Sequence, residues 1–201
     1  MDQAIPIKTA LLSVSDKTDL IPFARRLAEL GVRLISTGGT KRALAEAGLE
    51  VVGISEVTGF PEMMDGRVKP QPPKDPSGQH ALRDKPDHAA SLEDHAITPI
   101  DLVVVNLYPF ERTVADPEVR TPDAIEQIDI GGPSMVRSAA KNHRFVTIVT
   151  DPKQYDLVSN ALEENDGGTT LALRQHLAAV AFTRTAEYDT AISKWLTARF
   201  K

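Results

Sequence analysis

Asp129 and Lys141 stand near the two ends of the segment Ile128-Asp-Ile-Gly-Gly-Pro-Ser-Met-Val-Arg-Ser-Ala-Ala-Lys-Asn-His143. A carboxylate and an ammonium can move a proton on one small molecule when the helix between them aims both at it. Gly131-Gly132 offers a tight turn where backbone approaches a ligand closely, and Pro133 suits the first helical position. Ser134 to Lys141 is rich in helix formers, with Met135, Val136 and Ala139 on an apolar face. A rise of about 1.5 Å per residue sets the helix ends about 12 Å apart, and Lys141 leans back toward the N-terminus. The pair is therefore expected to meet a ligand from two sides. Taken singly, Asp129 is a loop or cap residue and Lys141 a favourable charge at a helix C-terminus.

Other groups suited to chemistry cluster after apolar runs. Ser15-Asp16-Lys17 follows one such run and Ser36-Thr37-Gly38-Gly39-Thr40 another. The second combines hydroxyls, a glycine pair and a helix N-terminus, which together make a phosphate cradle, and Lys17 adds a full positive charge. Neither is GxxxxGK[ST] or GxGxxG, so no triphosphate or dinucleotide loop is expected. Asn106 is suited to reading an amide or a purine edge, and Tyr108 to donating or accepting a proton. Arg67 and Lys69, two apart, share one side of an extended segment and reach one anion together; alone they are equally a solvated charged loop.

The elements that must position these groups alternate strand and helix. Thr9–Val14 is a buried strand, and Asp19 caps a helix over Leu20 to Leu30 that Gly31 ends. Residues 32–36 form a second strand, followed by a helix ending near Ala47 with Gly48 at its C′ position. Residues 51–54 are a candidate third strand; 101–106 and 145–150 are clear ones. Asp151-Pro152 opens a helix carrying Leu157, Val158, Ala161 and Leu162. Thr169 to Arg199 is expected as two or more helices with Leu171, Leu173, Leu177, Val180 and Phe182 in the core. Phe110 is expected there too. Continuous apolar strands alternating with helices imply a mainly parallel sheet between helical layers, a three-layer α/β/α fold. Residues 69–88, with five prolines between Pro70 and Pro86, are expected as a long surface loop.

Composition narrows the function classes. The chain has 201 residues, 41% of them hydrophobic, enough for one domain with a sizeable core. A net charge of −5 and no basic run argue against a nucleic-acid surface. No apolar stretch is long enough to span a bilayer, and Met1-Asp2-Gln3 does not begin a secretory signal. Cysteine is absent, and His80, His88, His95, His143 and His176 show no metal-ligand spacing. A cytoplasmic protein working without metal or cofactor is expected.

Together, SVSDKT (13–18), STGGT (36–40), TGFPEMMDGRVK (58–69), NLYPF (106–110), IDIGGPSMVRSAAKNH (128–143) and AFTRTAEYD (181–189) resemble the IMP cyclohydrolase domain of bifunctional purine-biosynthesis proteins. The resemblance runs from about Lys8 to Trp195. It implies a methylglyoxal-synthase-like fold and closure of 5-formamido-4-imidazolecarboxamide ribonucleotide (FAICAR) to IMP with loss of water. It also implies that Ser15, Asp16, Lys17, Thr37, Gly38, Gly39 and Thr40 hold mainly phosphate and ribose. Arg67, Val68, Lys69, Val105, Asn106, Asp129 and Ile130 would surround ribose and base. Lys69, Tyr108, Asp129 and Lys141 would form the catalytic set, with the division of acid and base roles open. The family's formyltransferase half has no counterpart in residues 1–201, which are expected as a single domain. A formyltransferase domain and a second copy of the chain are the macromolecular partners implied.

One stretch departs from the family. After Arg-Val-Lys the family continues Thr-Leu-His-Pro-Lys, whereas this chain reads Pro70-Gln-Pro-Pro-Lys-Asp-Pro-Ser-Gly-Gln-His80. Pro70 has neither hydroxyl nor N–H where a threonine stands beside the ligand, which weakens the assignment of its neighbour Lys69. Two readings of the same fold compete: a methylglyoxal synthase acting on a triose phosphate, and a non-catalytic nucleotide sensor.

Overall fold

Six consecutive buried residues, Thr9–Val14, form the central strand of the molecule. The computed structural model describes residues 4–58 and 78–200. In chain order these give β1 (Ile5–Pro6), β2 (Thr9–Val14), α1 (Leu20–Glu29), β3 (Arg33–Ser36), α2 (Gly38–Glu46), β4 (Val52–Gly53) and α3 (Ile54–Thr58). After residues 78–80, which are helical, come α4 (Pro86–Asp94), β5 (Leu102–Asn106), α5 (Phe110–Val114), α6 (Thr121–Glu126), α7 (Gly131–Lys141) and β6 (Thr147–Val149). A 3₁₀ turn at Pro152–Gln154 leads to α8 (Tyr155–Glu164), then β7 (Gly168–Thr169) and α9 (Leu171–Arg199).

The main sheet has five parallel strands in the order β4-β3-β2-β5-β6, registered Leu12↔Ser36 and Val14↔Asn106 at its carboxyl edge. From β2 the chain moves outward through β3 to β4, then returns to the other side of β2 for β5 and β6. Right-handed crossovers in opposite directions put α1 and α7 on opposite faces. Helix α8 packs on α1, and α9 packs on α7. Both faces of β2 and β5 are thereby covered, which is why buried residues run along these strands without alternation. The reversal of direction leaves a crevice between the carboxyl ends of β2 and β5, where sheets of this kind bind ligands.

Several elements differ from expectation for identifiable reasons. Helix α9 is one continuous run of 29 residues, not two or more helices. It contains neither Gly nor Pro, and packing against α7, β6 and α5 carries it past its β-branched threonines. Phe182, expected in the core, is 39% exposed, as is Leu157 of α8 at 44%; the buried stripes run through Leu177, Ala181 and Tyr188, and through Val158 and Leu162. Asp19 precedes α1 but accepts no capping bond; its backbone is left-handed at φ 54°. Residue Ile54, expected at the end of a strand, opens α3. Pro86 does not extend the loop: it stands in the first turn of α4, where its missing N–H costs nothing. The remainder of the proline-rich stretch up to residue 77 lies outside the described residues. The small antiparallel pair β1–β7 had no signal strong enough to read.

Among the described residues, no helix is long and apolar enough to cross a membrane.

Candidate active site

The carboxyl ends of β2, β3 and β5 close around a cavity of about 360 Å³, within the range of small-molecule sites. Its floor is made by Ser13, Val14 and Val105, its rim by Ser15, Lys17 and Asn106. Thr37, Gly38, Gly39 and Thr40 form one wall, and Tyr108, Asp129, Gly132 and Met135 the facing one.

The first wall is the start of α2. Thr37, its N-cap, makes no side-chain cap bond; its Oγ1 is instead hydrogen bonded to Ser13 Oγ at 2.8 Å. The N–H groups of Gly38 and Gly39 are thus open to a ligand, as at other anion-binding helix starts, while the Thr40 N–H donates to the Thr37 carbonyl at 3.1 Å. Gly38 has φ 38°, a left-handed backbone that glycine adopts without strain. A Cβ placed on Gly39 would meet no atom within 4 Å, so open space lies over the peptide. Thr40, by contrast, spends its hydroxyl within the protein: Oγ1 accepts from the Val14 N–H and donates to the Val14 carbonyl, both at 3.0 Å. It clasps α2 to the end of β2.

Asn106 also plays a part its sequence position did not reveal. Its Oδ1 accepts from the N–H groups of Ser15 at 2.7 Å and Asp16 at 2.8 Å. Its Nδ2 donates to the Asp16 carbonyl at 2.8 Å. The amide expected to read a purine edge is engaged in holding the turn after β2. Lys17 follows that turn, its Nζ 3.4 Å from the Ser15 carbonyl. The Asp16 carboxylate folds onto Thr18, accepting from its hydroxyl at 2.7 Å and its N–H at 2.9 Å. Those bonds hold its pKa below the usual carboxylate value. Asp16 lines not this cavity but a wider groove of about 1150 Å³ that shares Ser15, Lys17 and Asn106 with it.

On the facing wall, Asp129 Oδ1 accepts the Gly132 N–H at 2.8 Å. A Cβ on Gly132 would run into the Asp129 carboxylate and stand 2.9 Å from Leu107 Cδ2, so no other residue fits without displacing the acid. The two glycines are not a turn ahead of the helix: both lie in the first turn of α7, with Ile130 as N-cap. Ile130 itself, expected near the base, is 78% exposed and does not line the cavity.

Helix α7 starts at the carboxyl edge of the sheet and runs back toward the amino edge. About 15 Å of axial rise separates its ends, and Lys141 is exposed at the far one. It lines neither cavity. Of the acid and amine expected to meet a ligand from two sides of one helix, Asp129 lines the cavity and Lys141 does not. Arg67, Val68 and Lys69 lie outside the described residues. Ser13, which stands in the polar cluster at the end of the first strand, and Gly132, expected where backbone approaches a ligand, both line the cavity; Met135, expected only on the apolar face of its helix, lines it too. Among the described residues, no group of His, Asp and Glu is placed to hold a metal ion.

Fold and cavity define a three-layer α/β/α protein whose anion-receptive pocket sits at the switch point of a parallel sheet. The chain belongs to the MGS-like domain family, whose model matches residues 19–134. Residues 139–201 match the model described as AICARFT/IMPCHase bienzyme. The Bifunctional purine biosynthesis protein PurH of Roseobacter denitrificans is 58% identical over 99% of this chain and 38% of its own length. That of Magnetococcus marinus is 57% identical over 96% of this chain and 36% of its own length. The chain thus spans about 38% of the length of the curated relatives it matches. A crystal structure of ForH is similar with a TM-score of 0.81 and 35% identity, covering 93% of this chain and 97% of that one.

Proposed function

We propose that the chain is an IMP cyclohydrolase that closes FAICAR to IMP. The observation carrying this reading is the single cavity in which the uncapped start of α2 and Lys17 face Asp129 and Tyr108. One end suits a monophosphate and the other a reacting heterocycle. The reaction joins the carboxamide nitrogen to the formyl carbon; the carboxamide and formamido nitrogens each give up one proton, and the formyl oxygen departs with both as water. Holding both ends of one molecule in contact supplies much of the acceleration. Asp129 positions or deprotonates the amide. Tyr108, with Lys69, stabilises and protonates the oxygen. Ser15, Thr37, Gly38, Gly39 and Thr40 hold phosphate and ribose, with Asp16 and Asn106 shaping the turn that presents Lys17. Val105, Arg67, Val68 and Ile130 flank ribose and base. Lys141 enters the catalytic set on the residue match alone.

Residues 1–201 act as one domain within a longer polypeptide that carries a formyltransferase, which would supply the formylated substrate. The chain works in the cytoplasm as a homodimer and needs no metal or cofactor. The relatives' printed role in purine biosynthesis supports this placement. A spectrophotometric assay of IMP formation from FAICAR tests the reading, with methylglyoxal release from dihydroxyacetone phosphate as the control. Absence of IMP formation would refute it. D129N is expected to leave only a small residual rate; a normal rate for K141A would remove Lys141 and leave the rest of the site standing.

A further inference from the structure

The segment Ala181-Phe-Thr-Arg-Thr-Ala-Glu-Tyr-Asp189 carries part of the family resemblance, yet none of it lines the smaller cavity. We propose that Tyr188, in the middle of α9, is a positioning residue whose buried hydroxyl holds the loop from which Asp129 acts. The proposal rests on the reading of Asp129 as catalytic.

Asp129 lies in a four-residue connection between α6 and α7. Tyr188 Oη accepts the Asp129 N–H at 2.9 Å and donates to the Gln127 carbonyl at 2.9 Å. A phenol has one proton and can accept as well, so both functions are used on one short stretch of backbone. With the Gly132 N–H on its carboxylate, Asp129 is gripped at main chain and side chain together. Burial pushes the Tyr188 pKa up to about 12, so the hydroxyl remains a donor throughout the neutral range.

The ring is held as firmly as the hydroxyl. Tyr188 is fully buried, edge-on to Phe110 with centroids 6.2 Å apart. Phe110 is in turn edge-on to Trp195 at 5.9 Å. The Arg184 guanidinium sits 5.4 Å from the Tyr188 ring centroid and is bonded to Glu111 at 2.6 Å. The Phe110 N–H donates to the Tyr108 carbonyl at 2.8 Å. One side chain therefore buttresses both candidate proton-handling segments: the Asp129 loop through its hydroxyl and the Tyr108 turn through its ring. Apolar packing alone would be satisfied by phenylalanine. The hydroxyl is needed only to fix Gln127 and Asp129.

Y188F removes that hydroxyl and keeps the ring. The expected result is a fall in kcat of about tenfold with KM within about twofold, because the phosphate wall is untouched while the acid is loosened. In a D129N background, Y188F should cost nothing further in the residual single-turnover rate. Wild-type kcat in Y188F, or an equal loss in both backgrounds, would overturn the proposal. Amide exchange gives a reading independent of turnover and of how well Y188F folds. The Asp129 N–H of the wild type should exchange as slowly as core amides; fast exchange would also overturn the assignment. If the wild type forms no IMP but its Asp129 amide is protected, the cyclohydrolase reading fails and the Tyr188 contact stands.

Discussion

Replacing Asn106 with alanine removes three hydrogen bonds at once, two from the N–H groups of Ser15 and Asp16 and one to the Asp16 carbonyl. Each such bond contributes about 0.5 to 1.5 kcal/mol net, and more when a buried partner is orphaned. Asn106 is half-buried and Asp16 exposed, so water replaces part of the loss. A destabilisation of about 2 to 3 kcal/mol follows, which lowers Tm by about 4 to 12 °C in a chain of this size. The larger consequence concerns the ligand. The turn that presents Lys17 is no longer held to β5 and must be ordered at each binding event. A cost of about 1.4 kcal/mol for that ordering weakens affinity about tenfold. Calorimetric titration with IMP, alongside thermal unfolding, measures both effects. The affinity loss should persist at temperatures well below the variant's Tm. An N106A protein that binds IMP as tightly as the wild type would refute the reasoning, because the turn would then need no clamp.

Three further outcomes are expected. G132A pushes a methyl group into the space of the Asp129 carboxylate; a displacement of that size should lower kcat about a hundredfold while leaving IMP binding nearly intact, and a normal kcat would show that Asp129 has room to spare. R83A breaks the pair with Asp101, a 4% exposed carboxylate that also accepts the N–H groups of Lys8 and Thr9 at 2.8 Å. Chemical denaturation should show a loss of about 3 kcal/mol, with kcat unchanged because the pair lies at the opposite edge of the sheet. Finally, the Tyr188 phenol is harder to ionise folded than unfolded, its pKa being pushed from 10 to about 12 mainly by burial. Between those values the folded state binds more protons than the unfolded one, so stability falls as pH rises from about 10 toward 12. Unfolding measured across that range should show the decline in the wild type and a weaker one in Y188F.

Much of the fold was legible because its periodicities are strong. The six residues of β2, four of them apolar, and the apolar run of β5 announce buried parallel strands, and Gly31 and Gly48 mark the ends of α1 and α2 with φ of 76° and 80°. Such signals are local: a left-handed turn or a strand hidden on both faces constrains residue types at that very position. Much of the candidate site was legible as short words, three of them following strands and one, with Asp129, opening a helix. Side-chain roles were not. Asn106 and Thr40 carry polar groups at the expected places, yet both direct them at backbone across the sheet, to partners about 90 and 26 positions away in the chain. Hydrogen bonds over such separations leave no mark on local composition.

The same contrast governs the two ends of α7. Residue types alone establish that a helix joins Asp129 to Lys141, and that proline stands in its first turn. Which end faces the ligand depends on the crossover. A helix returning between parallel strands must run opposite to them, so only its start reaches the carboxyl edge where the crevice lies. The acid therefore lines the cavity and the amine stands exposed at the far end. Tyr188 illustrates the converse: nothing near it in the chain suggests Asp129, but the packing of α9 on α7 brings the phenol to that loop. Local sequence chooses the elements and the chemistry they carry, and the long-range packing of helices on the sheet chooses which groups meet.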